Sequence, residues 1–230
     1  DGVLALVVVR GLTKALESVL DNRDARTIYR EHKRDYSVFH VSFAAPIRSL
    51  ERKYDRKRMT LSFSRKYEVD TAFGLPEFDT LNFGTRSMYS LLGDMADRGC
   101  DSVLMLEPGQ GHGAIAVMDS LKPSELVLGS RDLLSLKFAA HNVKVNFKVE
   151  PSTMHLPYLQ GAPEQALTVW SVQRKDDLAL NAFNLKALLK GTGPLLAYGR
   201  TSLLNGLLRR ERVIVLKENV YEGYSARLLK

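Results

Sequence analysis

The residues best placed to do chemistry lie in Leu106-Glu107-Pro108-Gly109-Gln110-Gly111-His112-Gly113-Ala114, where an acid opens into three alternating glycines. The apolar run Val103 to Leu106 predicts a buried parallel strand, and Gly109, Gly111 and Gly113 let the main chain turn sharply and approach a ligand where a Cβ would collide. A helix starting near Gly113 would aim unpaired N–H groups at the same spot. The combination suits a nucleotide-like ligand, with Glu107 drawing any cationic part of it. Gly109, Gly111 and Ala114 also satisfy the dinucleotide pattern G-x-G-x-x-[GA]. His112 has the chemistry of a general base, but a single histidine in such a loop is more often a hydrogen-bonding neighbour.

Such a loop needs a core behind it, and 230 residues at 45% hydrophobic and 26% charged suffice for one large domain with an appendage. Cys100 is the single cysteine, so there is neither an internal disulfide nor a thiolate metal framework, and no metal is expected. No apolar run approaches the roughly 20 residues needed to cross a bilayer, and the opening residues lack a basic signal-peptide segment, so the expectation is a cytoplasmic protein. The net charge of +7 favours an anionic partner such as nucleic acid. Its densest part is Arg48, Arg52, Lys53, Arg56, Lys57, Arg58, Arg65 and Lys66, a candidate backbone-phosphate surface, or a solvated helix face in which Glu51 and Asp55 pair with their neighbours.

Residues 3–9 are an apolar run and 12–20 have helical spacing. A polar stretch follows over 21–36; Tyr36 to Phe43 alternates like a strand, Ile47 to Tyr54 looks helical, and Met59 to Phe63 could pair with Tyr67 to Val69. From Phe78 the pattern becomes a regular alternation. Helices are expected over 87–98, 114–120, 131–141, 177–189 and 202–208, and strands over 103–106, 125–128, 145–149, 167–170 and 195–198. That alternation implies a parallel sheet with helices on both faces. Val213 to Lys217 and Ser225 to Leu229 break it as an antiparallel hairpin.

In this order the chain resembles a class I S-adenosylmethionine-dependent methyltransferase, and more narrowly the "methyltransferase small" group that includes ribosomal RNA guanine-N2 methyltransferases. The likeness rests on Phe78-Asp79-Thr80-Leu81-Asn82-Phe83-Gly84-Thr85-Arg86, on Val103 to Gly113, and on Glu222-Gly223-Tyr224-Ser225 to Lys230. It implies an α/β fold with a Rossmann-like, mostly parallel sheet closed by a C-terminal antiparallel hairpin, over residues 58–230, preceded by a smaller N-terminal α+β accessory region over 1–57. It also implies S-adenosylmethionine as cofactor, with Glu107 near the methionine amine. Pro108, Gly109, Gly111 and Gly113 would lie along the cofactor, Gln110 and His112 would stand on the rim, and Thr85 and Arg86 would belong to the same site.

The departures are as informative. The second strand of the family ends in an acid that takes both ribose hydroxyls, where this chain has Gly129-Ser130-Arg131-Asp132. Ser130 can give one hydrogen bond, and Asp132 either reaches back or favours a helix N-terminus. Near the adenine the chain offers Ser152 and Thr153. After the fourth strand, active base methyltransferases of the group carry Asn-Pro-Pro and an aromatic residue, which grip and stack an extruded base. Here Val169-Trp170-Ser171-Val172-Gln173-Arg174-Lys175 stands instead. Trp170 is then a stacking candidate or a core residue, Gln173 a possible amide and Arg174 a possible phosphate contact. The expected function is methyl transfer to ribosomal or transfer RNA. The alternative is an inactive relative that binds RNA or a protein, and a nicotinamide oxidoreductase is a distant third.

Overall fold

The computed structural model describes residues 3–21, 25–43, 66–72, 74–78, 80–96, 99–157, 159, 163–172, 178–191, 193–211 and 213–230, with the main chain alone over 55–60. Two compact units divide the chain, Asp1–Lys53 and Tyr54–Lys230.

In the first unit, β1 (Leu4–Val9), a single 3-10 turn, α1 (Thr13–Asp21), β2 (Ala25–His32) and β3 (Tyr36–Phe43) build an antiparallel sheet in the order β1-β3-β2. Alternate residues of β3 face inward, and Phe39 and Val41 pack with Leu20 of α1 as its small core. The polar stretch expected over 21–36 thus contains β2, whose Arg-Thr-Ile-Tyr-Arg alternation is diluted because most of its residues stay exposed.

The second unit opens with the hairpin β4 (Asp55–Thr60) and β5 (Lys66–Thr71), continues through α2 (Phe83–Gly93), and then alternates. β6 (Ser102–Leu106), α3 (His112–Ser120), β7 (Glu125–Ser130), α4 (Leu133–Phe147), β8 (Ser152–His155), β9 (Leu167–Ser171), α5 (Leu178–Leu188), β10 (Leu195–Arg200) and α6 (Thr201–Leu208) lead to the closing pair β11 (Val215–Tyr221) and β12 (Tyr224–Leu229). The seven strands lie in the order β11-β12-β10-β9-β6-β7-β8. Strands β8, β7, β6, β9 and β10 are parallel, whereas β12 runs antiparallel to both neighbours. A sheet buried on both faces explains the continuous apolar runs. In β6, Val103 and Met105 join the core under α2, α3 and α4, while Leu104 and Leu106 join the one under α5 and α6.

One expected strand is a helix. Residues 145–149 were expected to form the third strand of the alternation, but α4 runs on to Phe147, Lys148 closes it at φ 60°, and that strand is β8 instead. Two asparagines four apart account for the longer helix. Asn142 exchanges hydrogen bonds of 2.8 and 2.9 Å with the main chain of Asp70, and Asn146 bonds of 3.2 and 2.7 Å with that of Glu68, so one helix face satisfies the open edge of β5. Valine's preference for strands loses to these tertiary bonds.

The expected helix over 47–54 lies outside the described residues, as does the pairing partner expected over 61–63. No helix among the described residues is long and apolar enough to cross a membrane.

Candidate functional site

Strand β6 sits between β7 and β9, so the loops leaving β6 and β9 diverge and open a crevice at the carboxyl ends of the strands, where open α/β sheets take their ligands. A cavity of about 140 Å³ lies there, with Glu107, Pro108 and Gly109 following β6, Ser171 and Val172 at β9, and Tyr198 and Arg200 ending β10. Pro76, Glu77, Asn82 and Tyr224 complete the polar part of its wall.

The glycine loop is held in left-handed conformations, with φ of 54° at Glu107, 58° at Gly109 and 95° at Gly111. Gly111 donates 2.8 Å to the Pro108 carbonyl and caps α3. A Cβ on Gly111 would stand 2.8 Å from the Cα of Ala139 in α4, one on Gly113 2.5 Å from Met105 Cε and 2.7 Å from the Tyr198 hydroxyl, and one on Gly109 3.0 Å from Pro76. Close approach of main chain thus demands glycine at Gly111; at Gly109 the left-handed φ itself favours glycine, and at Gly113 a Cβ would have to displace the ends of the Met105 and Tyr198 side chains.

Glu107, 4% exposed, is fully engaged. Its Oε2 accepts 3.1 Å from the Ser130 hydroxyl, and its Oε1 accepts 3.2 Å from Arg131 Nε and 3.4 Å from the Arg131 amide. Ser130 in turn accepts 3.1 Å from the Asp132 amide. Arg131 supplies a balancing charge beside the buried carboxylate from a side chain still 28% exposed.

Gln110 and His112, expected on the rim, are both fully buried. The Gln110 side chain accepts 2.7 Å from the Ala72 amide and donates 2.9 Å to the Pro76 carbonyl, stitching the segment before α2 onto the loop. His112 Nε2 lies 3.3 Å from the Glu77 carbonyl, which can only accept, so in the neutral ring Nδ1 accepts the 2.8 Å bond from the Tyr67 hydroxyl. Both ring nitrogens are committed, which removes His112 as a base. Burial, and then the Glu77 carboxylate, push the Tyr67 phenol up and keep that donor protonated.

Sequence spacing did not reveal Glu77, whose part depends on a turn at φ 61°. Its Oε1 accepts 2.9 Å from the Asn82 amide and 2.9 Å from the Thr85 hydroxyl, while Asn82 caps α2 through a 2.8 Å bond from the Thr85 amide. Asn-x-x-Thr was the one legible hint, as a cap signal. Tyr198 lies against the same carboxylate: burial and then Glu77 raise its pKa, against hydrogen bonds with Ser171 and Thr85 that lower it.

The other expected site residues divide. Thr85 is buried and works through Glu77, whereas Arg86 is exposed with its guanidinium 5.9 Å over the Phe83 ring. Asp132 caps α4, accepting 2.9 Å from the Leu134 amide and 3.3 Å from that of Ser135, so it does not reach back. Thr153 is exposed on β8, the edge strand. Trp170 is 1% exposed among Leu104, Leu106 and Leu185, which corrects the stacking expectation: its ring is core and presents no face to a base. Gln173 and Arg174 lie outside the described residues, as does most of the basic cluster Arg48 to Lys66, of which only the Lys66 side chain is described. Among the described residues no group of histidine, cysteine and acidic side chains could hold a metal ion.

No family profile and no curated protein matches the chain by sequence. Solved structures do match its shape. The 16S rRNA N2 G1207 methyltransferase of T. thermophilus, solved with AdoMet and guanosine, is 13% identical, with a TM-score of 0.73 over 100% of this chain and 64% of its own. A ribosomal protein L11 methylase from Lactobacillus delbrueckii subsp. bulgaricus is 14% identical, with a TM-score of 0.57 over 75% of this chain and 97% of its own. A SAM-dependent methyltransferase from Leishmania major is 13% identical, with a TM-score of 0.51 over 64% of this chain and 71% of its own. The fold is that of the class I methyltransferases. The chain spans 64% of the length of the T. thermophilus enzyme.

Proposed function

We propose that this chain binds S-adenosylmethionine in the crevice at Glu107 and transfers its methyl group to RNA. The observation that carries the proposal is the pair of carboxylates, Glu77 and Glu107, lining one cavity at the switch point of a methyltransferase fold. Two acids there give the negative potential that a ligand with both an ammonium and a sulfonium would seek. When bound, the cofactor would supply a methyl group on a cationic sulfur, which an acceptor lone pair displaces with a neutral thioether leaving. The chain's part is to hold and align: Glu107 and Glu77 for the charge, Asn82 and the Gly109 main chain for position, Thr85 to fix Glu77. Alignment of that kind supplies much of the rate in a transfer needing no covalent enzyme intermediate. RNA as acceptor is supported by the net charge of +7 and by the rRNA methyltransferase among the compared structures.

Glu77 and Glu107 would supply charge for the methionine end, and the ribose end is worse served. Ser130 stands where the family has its ribose acid, and its hydroxyl is already spent on Glu107. The cavity of about 140 Å³ is also small beside the roughly 300–1,000 Å³ of common ligand pockets. These observations, with Arg131 on Glu107 and Val169-Trp170-Ser171-Val172 in place of Asn-Pro-Pro, favour a second reading, a non-catalytic methyltransferase-fold protein that binds RNA.

Isothermal calorimetry with S-adenosylmethionine, followed by transfer of a labelled methyl group to total RNA, separates the two. Binding with transfer supports the enzyme, binding without transfer supports the second reading, and no binding at millimolar cofactor overturns the cofactor site itself.

A further inference from the structure

Beside the cavity three parts of the chain bring aromatic rings and arginines together on the surface. Phe83 begins α2, Arg200 caps α6, and Tyr221 and Tyr224 face each other across the β11–β12 turn. The Phe83 ring lies 5.3 Å from that of Tyr221 at 67° and 6.2 Å from that of Tyr224 at 60°. Arg86 sits 5.9 Å over Phe83, and Arg200 5.6 Å over Tyr224. Tyr224 and Arg200 also line the cavity, so the cluster forms its mouth.

Three observations set this cluster apart from an ordinary helix-on-hairpin contact. Phe83 is 38% and Tyr221 47% exposed, so ring surface is turned to water when burial would be favourable. Neither arginine has an ion-pair partner among the described residues, which leaves their N–H edges free of carboxylates. Tyr224 is also pinned from beneath: a Cβ on Gly84 would lie 3.1 Å from its Cδ1, so α2 presses against the ring and holds it.

We propose that Phe83, Tyr221 and Tyr224, with Arg86 and Arg200, form a stacking platform for an unpaired nucleobase of single-stranded RNA, the arginines taking the flanking phosphates. This deepens the RNA reading above and rests on it, but it requires neither S-adenosylmethionine nor catalysis. Aromatic faces with stacked guanidinia are the chemistry that grips unpaired bases, because every base has a π-face and every nucleotide a phosphate. Double-stranded RNA would not satisfy it, since its bases are not splayed out to stack. The platform also supplies what the sequence lacks after β9, where Trp170 is core.

The test uses the whole chain and a 12-nucleotide single-stranded oligoribonucleotide carrying one 2-aminopurine, read by fluorescence anisotropy for affinity and by quenching for stacking. The expectation is that the wild-type protein quenches the probe, and that Tyr221→Ala and Phe83→Ala each lose the quenching and weaken binding about ten-fold. Tyr221→Phe should retain both. Arg86→Gln and Arg200→Gln should each reduce the slope of log affinity against log salt by about 0.7 while leaving quenching in place. Circular dichroism melts of each variant check folding; Tyr221, exposed in a hairpin, can be changed without disturbing the core. RNA bound with full quenching by the Phe83→Ala, Tyr221→Ala double variant overturns the platform, as does a preference for duplex over single strand. Failure of calorimetry to detect S-adenosylmethionine, with quenching intact, would sink the cofactor site and leave the platform standing.

Discussion

Glu107 and Tyr224 line one cavity, yet the polar groups around them are disposed in opposite ways. Around Glu107 hydrogen-bonding capacity is consumed within the chain: the carboxylate by Ser130 and Arg131, the Gln110 amide by Ala72 and Pro76, both nitrogens of His112 by Tyr67 and Glu77. Around Tyr224 the rings meet tilted or edge-on, guanidinia lie over two of them, and Phe83 and Tyr221 keep surface turned to solvent. A group satisfied internally gives stability and a unique geometry, whereas one held rigid but unsatisfied is free to give binding energy. The glycine loop of this chain leans to the first use and the aromatic mouth to the second.

The largest effect should come from the loop. Gly111→Ala adds left-handed strain of about 1–2 kcal/mol and a collision with the main chain of Ala139 costing about 1–3 more, so unfolding in denaturant should show a loss of roughly 3 kcal/mol. A loss below about 1 kcal/mol would mean that α3 and α4 do not meet at this glycine.

Asn142 comes next. Fully buried, it joins Asp70 of β5 to the Gln110 carbonyl, so Asn142→Ala strands several main-chain groups, and a loss of about 2 kcal/mol is expected in the same measurement. A near-neutral result would show that water replaces the asparagine, and the loop would not be self-contained.

Arg131→Gln sharpens the comparison from the ligand side. It withdraws the cation from Glu107, so S-adenosylmethionine and its thioether product, which keeps the same ammonium, should both bind roughly three- to ten-fold more tightly by calorimetry. No gain for either compound would mean that space, not charge, limits the site.

The smallest effect is in alkali. Tyr67 and Tyr198 are raised from 10.0 by burial, so the unfolded chain ionises first. Their contribution to stability is complete below about pH 10 and declines as the pH rises beyond it toward the folded-state values. Melts from about pH 8 to pH 11 should show the decline, shallower in Tyr67→Phe; identical profiles would mean that other groups dominate there.

Local pattern carried much of the fold and little of the site. Strand β6, the turn after it and the start of α3 were legible because an apolar run followed by glycines leaves the main chain few choices, and the closing hairpin was legible because it broke the alternation. Helix α4 was misread near its end because Val143, Val145 and Val149 speak for a strand, while Asn142 and Asn146 act through a partner some 70 residues away. Glu77 escaped because its role depends on a left-handed turn and a helix cap that share one oxygen. The aromatic mouth escaped because its residues are far apart along the chain and are joined only by the packing of α2 on the hairpin.

The turn joining β11 to β12 is two residues long, Glu222 and Gly223, at φ 49° and 75°. Turns of that hand match strand twist and lock the register. A slip by one position would send alternate side chains through to the opposite side of the sheet, parting Tyr221 and Tyr224 from Phe83. The spacing of the rings is thus set by two residues that need touch no ligand themselves, and a longer or right-handed link at that point would dismantle the mouth while leaving every aromatic residue in the sequence.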